Sequence, residues 1–458
     1  MRHFDLCIIG SGSGNSIPDE RFADHDIAIV DKGVYGGTCL NVGCIPTKMF
    51  VYPADLAHSP DVADRLGVEL NFNKVRWTEI RDRIFGRIDP ISAAGEAWRR
   101  QSQNITLYRE SAHFVGPKTL DTGSAGLITA DRIVIAAGSR PIIPDIEGID
   151  SVTVHTSDTV MRLDQLPESV IILGGGFIAA EFGHIFSAYG VQVSIINRSG
   201  ALLRQEDRDV SARFTELMSK RVDVRLNTVV ARMERRPFDR VAVTITDAAG
   251  GTETLEADVL LAAVGRTPNS DTLNLGSTGV DVDAEGYVAV DCYQRTSVDG
   301  IFAVGDVSSR LQLKHVANHE MRVVQHNLLH PTEMIESDHR FVPHAVFSEP
   351  QVASVGLTEQ QAKEAGIRYV TSIQDYGSVA YGWAMEDTDH FAKLLADPVT
   401  GMLLGAHLIG PQASSLIQPL IQAMSFGQSA HEVARGQYWI HPAMAELVEN
   451  ALLALPLD

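Results

Sequence analysis

The chain is poor in cysteine and in positive charge. Its 458 residues include only four cysteines, and 58 acidic residues outnumber 38 basic ones, giving a formal charge of −20. The acidic excess argues against a nucleic-acid surface, which needs a basic face. Four cysteines are too few for a disulfide scaffold, and no second pair completes a four-cysteine zinc site. Cys7, within an apolar stretch, and Cys292, without an evident partner, are predicted to be inert.

Long hydrophobic runs and an export signal are also lacking. The longest apolar stretch, residues 170–189, contains Glu181, His184 and a triple glycine, so it is not expected to cross a membrane. A strand is predicted from Phe4, which leaves no room for a signal peptide. Few cysteines and no export signal predict a reducing, cytoplasmic location, where a disulfide is more often catalytic than structural.

The remaining two cysteines, Cys39 and Cys44, lie in the segment GGTCLNVGCIPTK (36–48). A dithiol beside a redox cofactor can relay two electrons, whereas the alternatives are half of a zinc site or two unrelated buried thiols. Residues five apart in a regular helix rise about 7.5 Å, yet disulfide-bonded Cα atoms usually lie within about 7 Å. The segment is therefore predicted to be bent or tightened, which Gly43 and Pro46 favour.

A nucleotide-binding glycine loop precedes the cysteines. An apolar strand over 4–9 runs into Gly10 and Gly12, and a second strand over 27–30 ends in Asp31. Glycines at these positions permit a tight turn and close approach of the backbone to a diphosphate. An acid about 20 residues further on can accept a hydrogen bond from a ribose hydroxyl. The pattern predicts an adenine dinucleotide with a free ribose.

Two residues after this loop depart from the usual pattern. Asn15 occupies the place of the third glycine, so the following helix is expected to pack differently against the strand. Pro18 is expected to fall in the first turn of that helix, where its missing N–H is not needed.

A second unit repeats the layout with a different ending. A strand over 169–173, a triple glycine, a helix and a strand over 191–196 are followed by Asn197 rather than an acid. Arg198 and Arg204 come next, and guanidinium groups fit a 2′-phosphate, although two surface arginines can also be solvated charges. The second site is predicted to bind NADP.

A histidine and a glutamate near the C-terminus form a possible acid–base pair. His441 precedes Glu446 by five residues, beside Pro442 at a predicted helix start. A carboxylate can orient an imidazole for proton transfer near neutral pH, whereas such a histidine can also be a helix cap or a surface group. The upstream thiols favour a role in proton transfer for this pair, because disulfide exchange needs one thiol deprotonated and the leaving thiolate protonated.

Together these segments resemble the flavoprotein disulfide reductases, the family of glutathione reductase, lipoamide dehydrogenase and mercuric reductase. The resemblance extends over essentially the whole chain. Within the family, the opening GSGSGNSI (10–17) and the segment 36–57 are most similar to the mycothione reductase branch. The motifs that carry the resemblance are GGTCLNVGCIPTK (36–48), IVIAAGSRP (133–141), GGGFIAAE (174–181), AVGRTPN (263–269), IFAVGDV (301–307), FSEPQVASVGLTE (347–359) and IHPAMAE (440–446).

The resemblance implies an α/β fold with two Rossmann-like dinucleotide-binding domains, for FAD and NADP, and a C-terminal α+β dimerisation domain. The expected boundaries are 1–148 for the first part of the FAD domain, 149–266 for the NADP domain, 267–340 for the second part of the FAD domain and 341–458 for the dimerisation domain.

The resemblance also implies the cofactor contacts. Phe177 stands where glutathione reductases usually carry a tyrosine over the flavin. The residues expected at FAD are Gly10, Gly12, Ser13, Gly14, Asp31, Thr38, Lys48, Ala137, Gly138, Ser139 and Asp306. Those expected at NADP(H) are Gly175, Ile178, Glu181, Arg198, Arg204 and Gly265.

The implied activity is the NADPH-dependent reduction of a low-molecular-weight disulfide, most similar to that of mycothione reductase. Cys44 would face the flavin and Cys39 would attack the substrate disulfide. His441, oriented by Glu446, would act as the acid and come from the other subunit of a homodimer. No metal is expected.

Several alternatives are weighed against this activity. A lipoamide dehydrogenase is expected to have an acidic residue at position 197, where this chain has Asn197. Mercuric reductase and high-molecular-weight thioredoxin reductase are expected to have further cysteines near the C-terminus, whereas none follows Cys292 here. Only the overall similarity of the sequence argues against glutathione reductase, because no spacing indicates which residues bind the non-reacting parts of the substrate. A non-catalytic flavin-binding sensor would need neither the two thiols nor the His–Glu pair.

Overall fold

The computed structural model describes residues 1–458. Short runs of β-branched and other apolar residues form the strands, and glycine turns separate them. The strands are β1 Arg2–Ile9, β2 Ile27–Val30, β3 Ile105–Tyr108, β4 His113–Gly116, β5 Thr119–Asp121, β6 Leu127–Ile135, β7 Ser139–Pro141, β8 Val154–His155, β9 Ser169–Leu173, β10 Gln192–Ile196, β11 Asp223–Arg225, β12 Val229–Arg235, β13 Val241–Thr246, β14 Thr252–Ala257, β15 Val259–Ala262, β16 Arg266–Pro268, β17 Ile301–Ala303, β18 His344–Val346, β19 Val352–Gly356, β20 Val370–Asp375, β21 Phe391–Ala396 and β22 Leu403–Ile409.

The α-helices cover the sheets and connect the strands. They are α1 Gly37–Asn41, α2 Cys44–Asp64, α3 Trp77–Gln101, α4 Phe177–Ala188, α5 Arg208–Ser219, α6 Lys314–Leu329, α7 Glu359–Glu364, α8 Ala380–Ala384, α9 Ala413–Leu416, α10 Gln418–Phe426, α11 Ala430–Arg435 and α12 Glu446–Leu453. None of them combines the length and the hydrophobicity needed to cross a bilayer.

The first sheet has the order β3-β2-β1-β6-β5-β4, with β17 beside β6. Strands β3, β2, β1, β6 and β17 are parallel, and β5 and β4 continue the sheet in antiparallel pairs. In β2 all four residues are buried, as expected of a strand covered on both faces. Because β1 and β2 are parallel, their carboxyl ends bring Gly10 and Asp31 to one edge of the sheet.

The expected α-helix after the first glycine loop is absent. Two 3₁₀ turns, Ser13–Ser16 and Glu20–Phe22, connect β1 to β2 instead. Pro18 lies between them, outside any helix, so the prediction that it sits in the first turn of a helix was wrong. Arg99 of α3, distant in sequence, donates hydrogen bonds to the Asn15 side chain and to the Pro18 carbonyl oxygen within this connection.

The second sheet repeats the parallel arrangement, with the order β11-β10-β9-β15-β8. Strands β12, β13 and β14 form a separate antiparallel sheet beside it. The chain enters this region through β7 and leaves it through β16, and these two strands pair with each other in antiparallel fashion. The second sheet is thus inserted between parts of the first.

The C-terminal sheet is antiparallel, with the order β18-β19-β22-β21-β20. It packs with helices α9 to α12 around a separate buried cluster that includes Leu394, Leu408 and Leu420. Two parallel dinucleotide-type sheets and an α+β C-terminal unit confirm the predicted fold class. The residue boundaries of the domains stay a prediction.

A buried lysine joins the second sheet region to the C-terminal sheet. The side chain of Lys393, in β21, is 2% exposed and lies 2.9 Å from Asp207, which is fully buried. Its ammonium group also contacts Asp209 and Glu359. Burial opposes the charge, but the hydrogen bonds to the three carboxylates outweigh it and raise the pKa of Lys393 above its ordinary value.

Replacing this lysine tests how much the junction contributes to stability. Lys393→Met leaves Asp207 buried without its cation, and breaking such a pair on one side costs about 3 kcal/mol or more. We expect the urea denaturation midpoint, followed by circular dichroism, to fall accordingly. The control is Lys220→Met, which removes an exposed lysine paired with Glu216 and should cost less than about 1 kcal/mol. Equal midpoints for the two variants would contradict a structural role for Lys393.

Candidate active site

One cavity of about 420 Å³ brings together most of the residues predicted from the sequence. It runs from the first glycine loop, past the cysteines, to the start of α4. The predicted residues that line it are Gly10, Gly12, Ser13, Asp31, Thr38, Cys39, Cys44, Lys48, Ala137, Gly138, Ile178, Glu181 and Asp306. The predicted residues outside its lining are Gly14, Ser139, Gly175, Arg198, Arg204, Gly265, His441 and Glu446.

Glycines allow the cysteine segment to approach the first loop. A Cβ atom added to Gly37 would lie 2.6 Å from the Cα of Gly12, and one added to Gly10 would lie 2.2 Å from the carbonyl oxygen of Ala136. Real Cβ atoms do not come so close, so both positions require glycine. Gly14 is also a packing residue, because its Cβ would meet the side chain of Ala136 at 2.6 Å. The close contacts place the thiols beside the nucleotide loop.

Two carboxylates at the cavity are held by the surrounding chain. Asp31 accepts hydrogen bonds of 2.7 Å from the backbone N–H groups of Ser11 and Gly33. Asp306 accepts one of 2.7 Å from the hydroxyl of Ser139. Each carboxylate oxygen has two lone pairs, so both groups can still accept hydrogen bonds from sugar or ribityl hydroxyls. The glycine loop and these two carboxylates fit a flavin dinucleotide.

The helix is broken between the two cysteines, as the sequence predicts. Helix α1 ends at Asn41 and α2 begins at Cys44. Between them Val42 and Gly43 have non-helical backbone angles, with φ of −144° and −128°. A Cβ atom at Gly43 would lie 2.9 Å from the carbonyl oxygen of Thr38, so the tight connection needs glycine. The break allows both sulfur atoms to line the same cavity.

The two thiols differ in acidity because one donates a hydrogen bond to the other. Both are free, and Cys44 is exposed to the cavity while Cys39 is half-buried. The hydrogen bond from Cys39 lowers the pKa of Cys44 to about 7, and the charge of Lys48 acts in the same direction. The same hydrogen bond, followed by burial, raises the pKa of Cys39. Cys44 is therefore the more acidic of the two thiols.

Lys48 and Glu181 form an ion pair at the floor of the cavity. The lysine Nζ lies 2.7 Å from both oxygens of Glu181, whose side chain is 4% exposed. One of these oxygens also accepts a hydrogen bond of 3.0 Å from the backbone N–H of Phe347. Phe177, the first residue of α4, lines the cavity as well.

The second glycine loop lies next to the two predicted phosphate-binding arginines. Asn197 is buried and donates hydrogen bonds to Ser199 and to the Ala201 carbonyl oxygen, so it folds its own loop. Gly175 lies so close that a Cβ there would be 2.7 Å from the amide of Asn197. Arg198 and Arg204 are both exposed. Neither of them has an ion-pair partner within 4.0 Å.

The predicted acid–base pair is formed, but away from the cysteines of its own chain. His441 Nδ1 lies 2.7 Å from Glu446, and the interaction lowers the pKa of Glu446. Helix α12 begins at Glu446, and the histidine side chain is 70% exposed. His441 is not part of the lining of the cysteine cavity. In one chain, the imidazole faces solvent and the glutamate behind it is largely buried.

Sequence reasoning missed three polar residues of the cavity region. The hydroxyl of Ser11 donates to Asp31, and the guanidinium of Arg266 donates to Ser139 at 2.8 Å. Lys314 reaches the glycine loop from α6. Arg266 lies inside the AVGRTPN motif and could have been found there. Lys314 has no comparable signal, because more than 300 residues separate it from the loop.

Comparisons with known proteins agree with this architecture. The profile of the family "Pyridine nucleotide-disulphide oxidoreductase" matches residues 4–320, and the profile of its dimerisation domain matches residues 342–452. No group of three or more His, Cys, Asp or Glu side chains is arranged to hold a metal ion.

Individual relatives match over nearly the full length. The chain is 54% identical to mycothione reductase of Mycobacterium tuberculosis, over 99% of this chain and 100% of that protein. It is 31% identical to dihydrolipoyl dehydrogenase of Geobacillus stearothermophilus, over 98% and 95% of the two chains. Among solved structures, a Cu(II) complex of the HOCl-induced flavoprotein disulfide reductase RclA from Escherichia coli has a TM-score of 0.86, 27% identity and 99% coverage of both chains.

The acidity of Cys44 gives a direct test of the hydrogen bond between the thiols. Cys39→Ala removes the donor, so the pKa of Cys44 should rise from about 7 toward the ordinary cysteine value of about 8.5. The pH dependence of iodoacetamide alkylation of the reduced protein measures this change. Cys39→Ser keeps a hydroxyl donor and should give a smaller rise. An unchanged alkylation profile in Cys39→Ala would show that another group stabilises the thiolate.

Proposed function

Because the chain belongs to the pyridine nucleotide-disulphide oxidoreductase family and is a flavoenzyme that reduces thiol disulfides, we propose that its substrate is mycothione, the disulfide of mycothiol, and that its electron donor is NADPH. The substrate proposal is carried by one observation. Identity to mycothione reductase is 54% over nearly the full length, against 31% to a dihydrolipoyl dehydrogenase with similar coverage. The higher identity favours mycothione over lipoamide as the substrate.

The coenzyme proposal is supported by the charge at the end of the second unit. A carboxylate after β10 would favour a free ribose hydroxyl and repel a phosphate, but Asn197 stands there and turns inward. Arg198 and Arg204 are exposed and have no acidic partner, so their guanidinium groups are available to a 2′-phosphate. Leu203 donates a hydrogen bond of 2.7 Å to the carbonyl of Gly175, which holds the loop of Arg204 against the glycine loop.

We assign the residues of the first cavity to FAD and those around the second glycine loop to NADPH. The segments 1–148 and 267–340 would form the FAD domain, 149–266 the NADP domain and 341–458 the dimerisation domain. FAD would contact Gly10, Gly12, Ser13, Gly14, Asp31, Thr38, Lys48, Ala137, Gly138, Ser139 and Asp306. NADPH would contact Gly175, Ile178, Glu181, Arg198, Arg204 and Gly265. A cytoplasmic location fits this reaction, because thiols are kept reduced there.

Cys39 and Cys44 would then have different roles in the reduction of the substrate. Bound flavin supplies the two electrons, taken from the reduced nicotinamide, that open the Cys39–Cys44 disulfide. Cys39 loses its proton and attacks the substrate disulfide, forming a mixed disulfide and releasing one thiol. The Cys44 thiolate then attacks the sulfur of Cys39, which restores the Cys39–Cys44 disulfide and releases the second thiol.

His441 would move the protons in both steps. The raised pKa of Cys39 means that this thiol needs a base before it can attack, and each departing thiolate needs a proton. Glu446 would hold the imidazole in orientation and stabilise its protonated form. Since the pair does not line the cysteine cavity of its own chain, we propose that it serves the cysteines of the partner. The chain carries the dimerisation domain of the family and forms a homodimer.

A panel of disulfides tests the substrate proposal. We expect purified protein to oxidise NADPH with mycothiol disulfide, with kcat/KM at least about tenfold higher than with oxidised glutathione or lipoamide. NADH in place of NADPH should be the poorer donor. Cys39→Ser is the control, because it should lose disulfide turnover while its flavin is still reduced by NADPH. A preference for glutathione disulfide or lipoamide would overturn the proposal.

Mixed dimers test whether His441 acts across the interface. When Cys39→Ser and His441→Gln chains are co-produced and the heterodimer is isolated, one site would combine an intact Cys39 with an intact His441 from the other chain. We expect about half of the wild-type activity for this heterodimer, since a twofold-symmetric dimer has two equivalent sites. Each variant homodimer serves as the inactive control. A heterodimer as inactive as the homodimers would place the histidine and the thiol in the same chain.

A further inference from the structure

The first glycine loop lacks the element that usually provides its positive charge. Glycine loops bind a diphosphate at the N-terminus of a following helix, where free N–H groups and the helix dipole face the anion. Here the loop continues into the single 3₁₀ turn Ser13–Ser16, then Pro18, and then a second short turn. One turn cannot build a helix dipole. If the diphosphate of FAD binds at this loop, its charge has to be offset by other groups.

Lys314 supplies one such charge from the side of the cavity. It is the first residue of the 16-residue helix α6, is half-buried, and lines the cavity. Its Nζ donates a hydrogen bond of 2.8 Å to the hydroxyl of Ser13, within the glycine loop. An ammonium group has three protons to donate, so two stay available to a ligand. Lys314 has no carboxylate within 4.0 Å, so its charge is not neutralised inside the protein.

Arg99 supplies a second charge from behind the loop. This residue of α3 is 4% exposed. Its guanidinium donates 2.9 Å and 3.0 Å hydrogen bonds to the Asn15 side chain and to the Pro18 carbonyl oxygen, and it also contacts the Asn15 carbonyl. It too lacks a carboxylate within 4.0 Å. These hydrogen bonds join Asn15, inside the turn, to Pro18, just after it, and so hold the turn in its conformation.

We infer that these two cations replace the missing helix: Lys314 binds the diphosphate of FAD directly, and Arg99 is a positioning residue that holds the turn beneath it. A buried cation without a counter-ion is costly, and the anionic cofactor would offset that cost. Asn15 is then the link between the two, because it fills the position of the third glycine and accepts the hydrogen bond of Arg99. The inference rests on the assignment of the chain as a flavoenzyme and is independent of the substrate.

Binding of two flavins by the full-length protein, after removal of its flavin, provides the test. FAD carries the diphosphate and riboflavin does not. With Lys314→Met, we expect the Kd for FAD to rise at least about tenfold, as expected when a charge-assisted hydrogen bond is lost, and the Kd for riboflavin to change less than about twofold. Lys363→Met removes one exposed positive charge elsewhere and should change neither constant. Equal weakening of FAD and riboflavin would overturn the inference.

Further variants separate charge from folding. Lys314→Arg should restore most of the FAD affinity, and Arg99→Lys should weaken FAD more than riboflavin, whereas Arg100→Lys, at the neighbouring exposed position, should not. If a flavin-free variant does not stay folded, the rate of FAD release from the holoenzyme gives the same comparison.

Lys314 could instead act on a thiol, because its positive charge favours the thiolate form of Cys39. A Lys314→Met protein with normal FAD affinity but an altered alkylation profile of Cys39 would show that the lysine acts on the thiol and would overturn the inference.

Discussion

The buried carboxylate of Glu181 holds three parts of the chain together at the point where electrons would pass. It binds Lys48, four residues after Cys44, and accepts the backbone N–H of Phe347, at the start of the C-terminal sheet. A charge with so little exposure is stable only when it is paired and fully hydrogen-bonded. Separating Lys48 from Glu181 would leave a buried charge unpaired, and displacing Phe347 would remove a hydrogen bond from that carboxylate, so both contacts restrain the arrangement around the thiols.

Local patterns in the sequence predicted the elements that depend on neighbouring residues. The strand that ends just before Gly10, the break between the cysteines at Gly43 and the His441–Glu446 pair all follow from spacing and side-chain chemistry within a few residues. In each case the contacts that matter join residues close together along the chain, so a single sequence is sufficient to predict these elements. The fold class and the family follow from the same motifs.

Three features of the glycine loops and their surroundings could not be predicted, and two of them depend on contacts between residues far apart in sequence. The segment after the first glycine loop, which forms no α-helix, is bound by Arg99, about 80 residues further along, through the Asn15 side chain and the Pro18 carbonyl. The sequence indicated only that position 197 is not an acid, whereas the structure shows that the Asn197 amide donates hydrogen bonds within its own loop. Lys314 comes from a helix that no local pattern connects with the loop. For the first glycine loop and for Lys314 the contact joins residues far apart in sequence, whereas the contacts of Asn197 are local but follow no common motif.

The pairing of β7 with β16 has a consequence for the modularity of the chain. The inserted region leaves the first sheet through one of these strands and returns through the other, so its two ends lie side by side. A segment whose ends meet can be exchanged for another without stretching the parent domain. If the inserted region sets the coenzyme preference, as we propose, a graft cut at β7 and β16 would transfer that preference. Such a graft would have to retain Asp207, because the C-terminal sheet depends on that carboxylate for the charge of Lys393.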